Sequence, residues 1–467
     1  MIDFSGSYTD DYELTMAQVY FLKGRTESRA VFDYFFRKLP FNGGYAVFAG
    51  LDTLLDVLEN WHFTEEDLAF LQQHGFNKDF IHYLGSFRFH GDVYSTAEGD
   101  VVFPTRPVLE VEAGILEAQI IETVLLNILN FQTLIATKAS RMRQVAGKRV
   151  LVDFGLRRAQ GVGGYHASRA AVIGGFDATS NVRAGMDFHI PVSGTMAHSF
   201  IESYDDELTA FRDFASCYPD NCVLLVDTYN TLESGLPNAI KVGKEMEKQG
   251  KKLSGIRLDS GDLAYMAKES RKMLDDAGLD YVKIAVSNQL DEYIIKSLLE
   301  QGAPVDYFGV GTSLVTGGPD AAIDGVYKLA YAAGEPRIKL SESWTKITLP
   351  YGKQVYRVRN QDGLLTGADV ITLRDEENVE RMCHPFEPDK SLSLIGSRRE
   401  ALLHQVMAKG KRLYPPRALA MIRDYSMKRV EELPGEYRRF ENPHIYKIGL
   451  SDRLRDQRDQ LIEQFKK

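Results

Sequence analysis

Short apolar runs that stop abruptly at polar residues dominate the middle of the chain. Val150–Val152 runs into Asp153, Phe154 and a Gly-Leu-Arg-Arg turn, and Phe188–Val192 runs into Gly194, Thr195 and His198. Val223–Val226 ends at Asp227, Ile256–Leu258 at Asp259, Val282–Val286 at Ser287, and Tyr307–Val310 at Gly311 and Thr312. Runs too uniformly apolar to alternate read as strands of a parallel sheet buried on both faces. Apolar residues at helical spacing over Asp262–Ala277 and Asp291–Glu300, stopped by Gly278 and Gly302, predict helices between them. From Val223 onward the runs start about 25–35 residues apart, the length of a strand–helix unit. A (β/α) barrel and a doubly wound sheet both fit this grammar.

The polar punctuation favours the barrel. There the working side chains sit at the carboxyl ends of several different strands, and Arg157, His198, Asp227, Asp259 and Thr312 all fall at such ends. Polar residues are common wherever a loop begins, so none of the five is informative alone. Their recurrence is.

Upstream, helices are predicted at Thr15–Phe21 and Leu116–Val145, the second with Ile120, Ile121, Val124, Leu125, Ile128 and Leu129 as a buried stripe. Downstream, the chain reads as charged and largely helical, with strand-like interludes such as Gln354–Val358. The expected architecture is α/β: an N-terminal α/β domain over residues 1–147, an irregular, incomplete (β/α) barrel with the active site over 148–335, and a helical C-terminal extension over 336–467 that packs back on the first domain.

Composition narrows the function classes. With 467 residues, 44% hydrophobic and 26% charged, this is an ordinary globular chain, long enough for about three units of roughly 150 residues. The 56 Lys+Arg against 65 Asp+Glu leave a net charge of −9, without the basic face of a nucleic-acid binder, though a local basic pocket for a small anion stays compatible. Cys217, Cys222 and Cys383 form no disulfide framework and point to a reducing compartment. No apolar run reaches the ~18–20 residues of a membrane span, and the acidic N-terminus lacks a signal-peptide pattern. A cytoplasmic protein is expected, with neither membrane nor nucleic-acid partners.

Three segments carry candidate chemistry. Gly309–Gly318 places glycines and hydroxyls after a buried strand, which suits an anion nest or a tight turn. Arg257 and Asp259 share a strand face; they can hold an anion while the carboxylate takes a hydroxyl or Mg²⁺, or they can form a structural ion pair. His198 follows a Gly-Thr turn and can act as base or nucleophile, or be a satisfied polar residue, with His166 and His189 as eligible by composition. Walker A and a complete dinucleotide fingerprint are missing, and Cys217 and Cys222 lack zinc-knuckle spacing.

In order along the chain stand Asp10–Ala17 (DDYELTMA), Phe154–Gly161 (FGLRRAQG), Gly194–Ser199 (GTMAHS), Arg257–Leu263 (RLDSGDL), Gly309–Thr316 (GVGTSLVT) and Glu441–Tyr446 (ENPHIY). This ordered set closely resembles the nicotinate phosphoribosyltransferases, of the type II phosphoribosyltransferase fold. The resemblance implies transfer from 5-phosphoribosyl 1-diphosphate to nicotinate, giving nicotinate mononucleotide and diphosphate in the salvage route to NAD. It also implies coupling to ATP hydrolysis, Mg²⁺, and a homodimer with a shared active site. Carried over residue by residue, it makes His198 the phosphorylated histidine and stacks the pyridine ring between Phe154 and a partner subunit's Tyr12. It puts Arg157, Thr195 and Arg257 around nicotinate and the reacting ribose, Asp227 and Asp259 on ribose hydroxyls or Mg²⁺, and Gly311 and Thr312 on the 5-phosphate. Nicotinamide- or quinolinate-using enzymes of the same fold are the alternative. Asp177 resembles a carboxylate that nicotinamide-using relatives place near the amide; beside nicotinate's own carboxylate it would repel. It is therefore expected to turn toward an arginine such as Arg157 or Arg169, unless substrate choice is set elsewhere.

Overall fold

The computed structural model describes residues 4–341, 347–387 and 389–466. They divide into two compact units, one formed by the chain up to Thr137 and again from Ala322, the other by Lys138–Ala321.

The second unit is built on six parallel strands: β1 (Val150–Asp153), β2 (Ala178–Thr179), β3 (Val223–Leu225), β4 (Gly255–Leu258), β5 (Lys283–Ser287) and β6 (Tyr307–Val310). They pair in the order β2-β1-β6-β5-β4-β3. The first long strand thus pairs with the last, and strand order follows chain order around a circle that opens between β2 and β3. This is an incomplete barrel, as expected, and not a doubly wound sheet. The predicted helices are present at Leu263–Asp276 and Glu292–Glu300. Asp262 and Asp291 cap them by accepting backbone N–H bonds, and Gly278 (φ 67°) and Gly302 (φ 73°) end them in left-handed conformation.

One expected strand is absent. Phe188 ends a helix, Val182–Phe188, and only a single bridge joins Val192 to Thr179. His189 adopts φ 55° and Pro191 has no N–H to give a ladder, so Phe188–Val192 cannot run as a strand despite its apolar content. Helices His198–Glu202 and Glu207–Cys217 occupy the chain between β2 and β3.

In the first unit, Arg29–Phe36 pairs antiparallel with Leu109–Gly114 and Gly325–Ala332 inside a seven-stranded sheet. The predicted stripe from Ile120 to Leu129 is buried there, on helices Ile115–Ile120 and Glu122–Ala146 and the residue between them. The C-terminal part departs from its largely helical reading. Helices Leu419–Glu432 and Asp452–Lys466 accompany a six-stranded sheet that includes Lys353–Arg359 and Leu365–Leu373. Lys353, Arg357 and Asp369 point inward on these strands and are buried; Arg357 pairs with Asp100 at 2.8 Å and Asp369 at 3.2 Å. Charges at inward positions erase the alternation by which a half-buried strand is recognised.

Candidate active site

The concave face of the barrel is hollow. Barrel interiors are normally filled by branched apolar side chains, but here Gly255, Ala285 and Gly309 occupy inward positions of β4, β5 and β6. They leave a cavity of about 830 Å³, walled also by Val152, Phe154, Thr195, Met196 and Arg257. That volume lies within the usual range of small-molecule sites.

Phe154 leaves the carboxyl end of β1, its N–H bonded to the Val310 carbonyl at 2.8 Å. Its ring packs against Gly309 along the Cδ2–Cε2 edge, where any side chain would collide with it. A buried network sets the turn that follows: Asp153 accepts the Gly155 N–H at 2.8 Å and the hydroxyls of Ser168 and Thr179 at 2.7 and 2.8 Å. Burial raises the pKa of Asp153, while these donors pull it back down. Arg157 sits in the short turn Leu156–Arg158 and is exposed.

Arg257, on β4, reaches across the cavity to the segment that carries the histidine. Its Nη1 donates to Thr195 Oγ1 at 2.5 Å and its Nη2 to the Met196 carbonyl at 2.9 Å, while its buried Nε has no partner. Burial lowers the pKa of Arg257 and the Arg157 charge lowers it further, whereas Asp259 and Asp227 raise it. Two guanidinium groups thus lie within electrostatic reach of one another on one rim.

His198 begins its helix beside the ends of β3 and β4. Its Nδ1 is 3.1 Å from Thr228 Oγ1, and its Nε2 is 3.9 Å from Asp259 Oδ2. Asp227 Oδ2 accepts the Asp259 N–H at 2.6 Å and the Ser260 hydroxyl at 2.8 Å; its Oδ1 is buried without a partner. Asp259 Oδ1 accepts a hydrogen bond from Ser287 on β5. Gly311 and Thr312 follow β6, where Thr312 opens a one-turn helix whose first N–H groups lack intrahelical acceptors.

The structure therefore gathers Phe154, Thr195, His198, Asp227, Arg257, Asp259, Gly311 and Thr312 at the strand ends of one unit. Tyr12 belongs to the other, on helix Asp11–Leu22, with half its surface exposed. His166 is buried inside helix Gly163–Ile173, and burial together with the Arg169 charge lowers its pKa to about 4. His189 ends a helix in left-handed conformation. As expected, Asp177 is turned toward an arginine, with Arg143 as one partner. Arg143 holds it at 2.5 Å and the Leu151 N–H at 2.8 Å, at the level of the first half of β1, about 10 Å along the strand from Phe154. Thr228, Ser260 and Ser287 are the residues sequence reasoning passed over, although each lies next to, or ends, a run already marked by its polar punctuation.

Comparison with known proteins agrees with this arrangement. The nicotinate phosphoribosyltransferase (NAPRTase) family model matches residues 150–389, and models of the N-terminal and C-terminal domains of nicotinate phosphoribosyltransferase match 8–130 and 352–458. A nicotinate phosphoribosyltransferase of Bacillus subtilis is 45% identical over 98% of this chain and 95% of its own, and one of Dictyostelium discoideum is 38% identical over 96% and 86%. The crystal structure of human nicotinic acid phosphoribosyltransferase superposes with a TM-score of 0.86 at 31% identity, covering 97% of this chain and 99% of that one. With likeness of this extent running through both units and the strand-end site, the chain belongs to the nicotinate phosphoribosyltransferase family.

Proposed function

We propose that this chain transfers the phosphoribosyl group of 5-phosphoribosyl 1-diphosphate to the ring nitrogen of nicotinate, in NAD biosynthesis, and couples the transfer to ATP hydrolysis through a phosphohistidine at His198. The observation that carries the reading is the gathering of His198, Asp227 and Asp259 at the strand ends, beside a cavity walled by Arg257 and by Phe154, whose ring packs on Gly309. In the transfer, the pyridine nitrogen lone pair forms the bond to the anomeric carbon. The bond from that carbon to the diphosphate oxygen breaks, and its electron pair leaves with diphosphate. The carbon passes through oxocarbenium character, so alignment of the two reactants and neutralisation of the leaving group are what the protein has to supply.

Phe154 presents a face on which the pyridine ring stacks, and Tyr12 from a partner subunit closes the other face. Leu156, Val162, Val182, Met186 and Val192 are apolar side chains left exposed on the barrel unit, which supports a homodimer. Arg157 and Arg257 take nicotinate's carboxylate and the anionic diphosphate, with Arg257 also tying down Thr195. Gly311 and Thr312 offer N–H groups to the 5-phosphate.

The carboxylate pair fits Mg²⁺. Asp227 Oδ1 is buried and unpartnered, and Asp259 Oδ2 stands free beside the histidine. Among the described residues no group of three or more His, Cys, Asp or Glu is placed to hold a metal. A cation bound by Asp227 and Asp259 would complete its shell from substrate oxygens and water, as Mg²⁺ commonly does. When bound it neutralises diphosphate charge.

The test follows mononucleotide formation from nicotinate, nicotinamide and quinolinate in parallel, with and without ATP, for the wild type and His198→Ala. Turnover of nicotinate with ADP release is expected, and His198→Ala is expected to retain slow transfer that ATP no longer stimulates. Preference for another pyridine overturns the substrate; undiminished ATP stimulation in His198→Ala overturns the role of the histidine.

A further inference from the structure

The state of one imidazole nitrogen is set by the partner of the other. At His198 the two partners differ in kind. Thr228 Oγ1 lies within hydrogen-bond distance of Nδ1 at 3.1 Å, whereas Asp259 Oδ2, at 3.9 Å from Nε2, lies beyond it. A proton on Nε2 would leave the ring's lone pair on Nδ1, facing Thr228 and turned from the carboxylates. A proton on Nδ1, given to the Thr228 oxygen, leaves the lone pair on Nε2, on the side of Asp259. Only the second arrangement aims a nucleophile at the carboxylate site.

We propose that Thr228 is a positioning residue: its hydroxyl oxygen accepts the Nδ1 proton of His198 and so keeps the Nε2 lone pair available for phosphoryl transfer. This rests on the reading of His198 as the phosphoryl acceptor. In the step, Nε2 forms a bond to the γ-phosphorus of ATP; the bond from that phosphorus to the bridging oxygen breaks, and its electron pair departs on ADP. The ring gains positive charge as its lone pair is used, and the Nδ1–H remains on the Thr228 oxygen throughout. A hydroxyl offsets that charge and holds the ring plane; a methyl of the same size does neither. The device depends on the turn after β3, where Thr228 meets His198 and the preceding Asp227 accepts the Asp259 N–H.

The experiment compares the full-length wild type with Thr228→Val, Thr228→Ser and His198→Ala. It measures the rate of acid-labile phosphate incorporation from γ-labelled ATP by rapid quench, and the ATP hydrolysed per mononucleotide formed. Thr228→Val should incorporate label roughly 10- to 100-fold more slowly, the usual cost of losing the group that orients a reacting histidine. Thr228→Ser should stay within about threefold of wild type, and His198→Ala should take up none. Labelling of Thr228→Val at the wild-type rate overturns the role of Thr228 and leaves His198 standing as acceptor. Equal losses in the valine and serine variants overturn it as well, because packing and not the hydroxyl would then be at work. Labelling of His198→Ala like wild type overturns both readings, since Thr228 acts only through that ring.

Discussion

Gly309→Ala probes the ring platform most directly. A Cβ built at this position overlaps the Cδ2–Cε2 edge of Phe154 and lies 3.3 Å from Cζ. Carbon atoms pack at about 3.5–4.0 Å, so the Phe154 ring has to retreat by on the order of 1 Å. Gly309 does not have positive φ, so alanine itself sits there without backbone strain and the cost falls on the ring. Overpacking of this kind costs about 1–3 kcal/mol of stability. A displaced ring forfeits much of a stacking gain of ~0.5–1.5 kcal/mol, equivalent to roughly a 2- to 12-fold rise in KM for nicotinate where KM reports binding. Steady-state kinetics at saturating ATP should show that rise, with KM for the phosphoribosyl donor within about twofold of wild type. A double-mutant cycle sharpens the test. In a Phe154→Ala background the clash is gone, so Gly309→Ala should add nothing, and the coupling energy should equal the effect of the single alanine. An unchanged nicotinate KM, or an effect that persists in full without the Phe154 ring, would refute the platform.

Three further outcomes are expected. Asp177→Asn should leave the preference for nicotinate over nicotinamide unchanged and lower the melting temperature, because it breaks the Arg143 pair near the Leu151 level of β1; a switch in preference would contradict this placement. Asp227→Asn keeps a side chain for the Asp259 N–H but loses the charge at Oδ1, so the Mg²⁺ concentration for half-maximal activity should rise roughly tenfold or more, and an unaltered Mg²⁺ dependence would remove this residue from the metal. Burial raises the Glu13 pKa to about 7, against the pull of the Gln119 amide, from an ordinary value near 4.5. Between those values the unfolded chain has released a proton that the folded chain keeps, so stability falls as pH rises from about 4.5 to about 7 and then levels. Glu13→Gln should abolish that slope, gaining roughly 3 kcal/mol at most above pH 7; urea midpoints across this range that run parallel to wild type would reject the assignment.

What the sequence alone determined here is local. Apolar runs long enough to cross a sheet and polar residues at their ends are written in consecutive positions, so β1, β3, β4, β5 and β6 were legible to within a residue or two. So were the helix starts at Asp262 and Asp291, where the structure adds that each carboxylate caps N–H groups two and three residues on. That Asp227, Asp259, Gly311 and Thr312 would gather was legible through strand ends, because a parallel barrel brings all its carboxyl ends to one rim, whereas no strand runs directly into Thr195 and His198.

What only tertiary structure decided depends on partners far apart in the chain. Thr228 meets His198 across 30 residues, and Ser287 meets Asp259 across 28, so neither hydroxyl is distinguishable in sequence from an ordinary loop residue. Asp177 finds Arg143, 34 residues away, because helix Glu122–Ala146 carries Arg143 to the Leu151 level of β1. The C-terminal sheet stayed hidden for the same reason. Its inward Arg357 is tolerated only because Asp100, 257 residues away, and Asp369 neutralise it in the folded chain. A charge reads as exposed until its counter-charge is in place, and only folding puts it there.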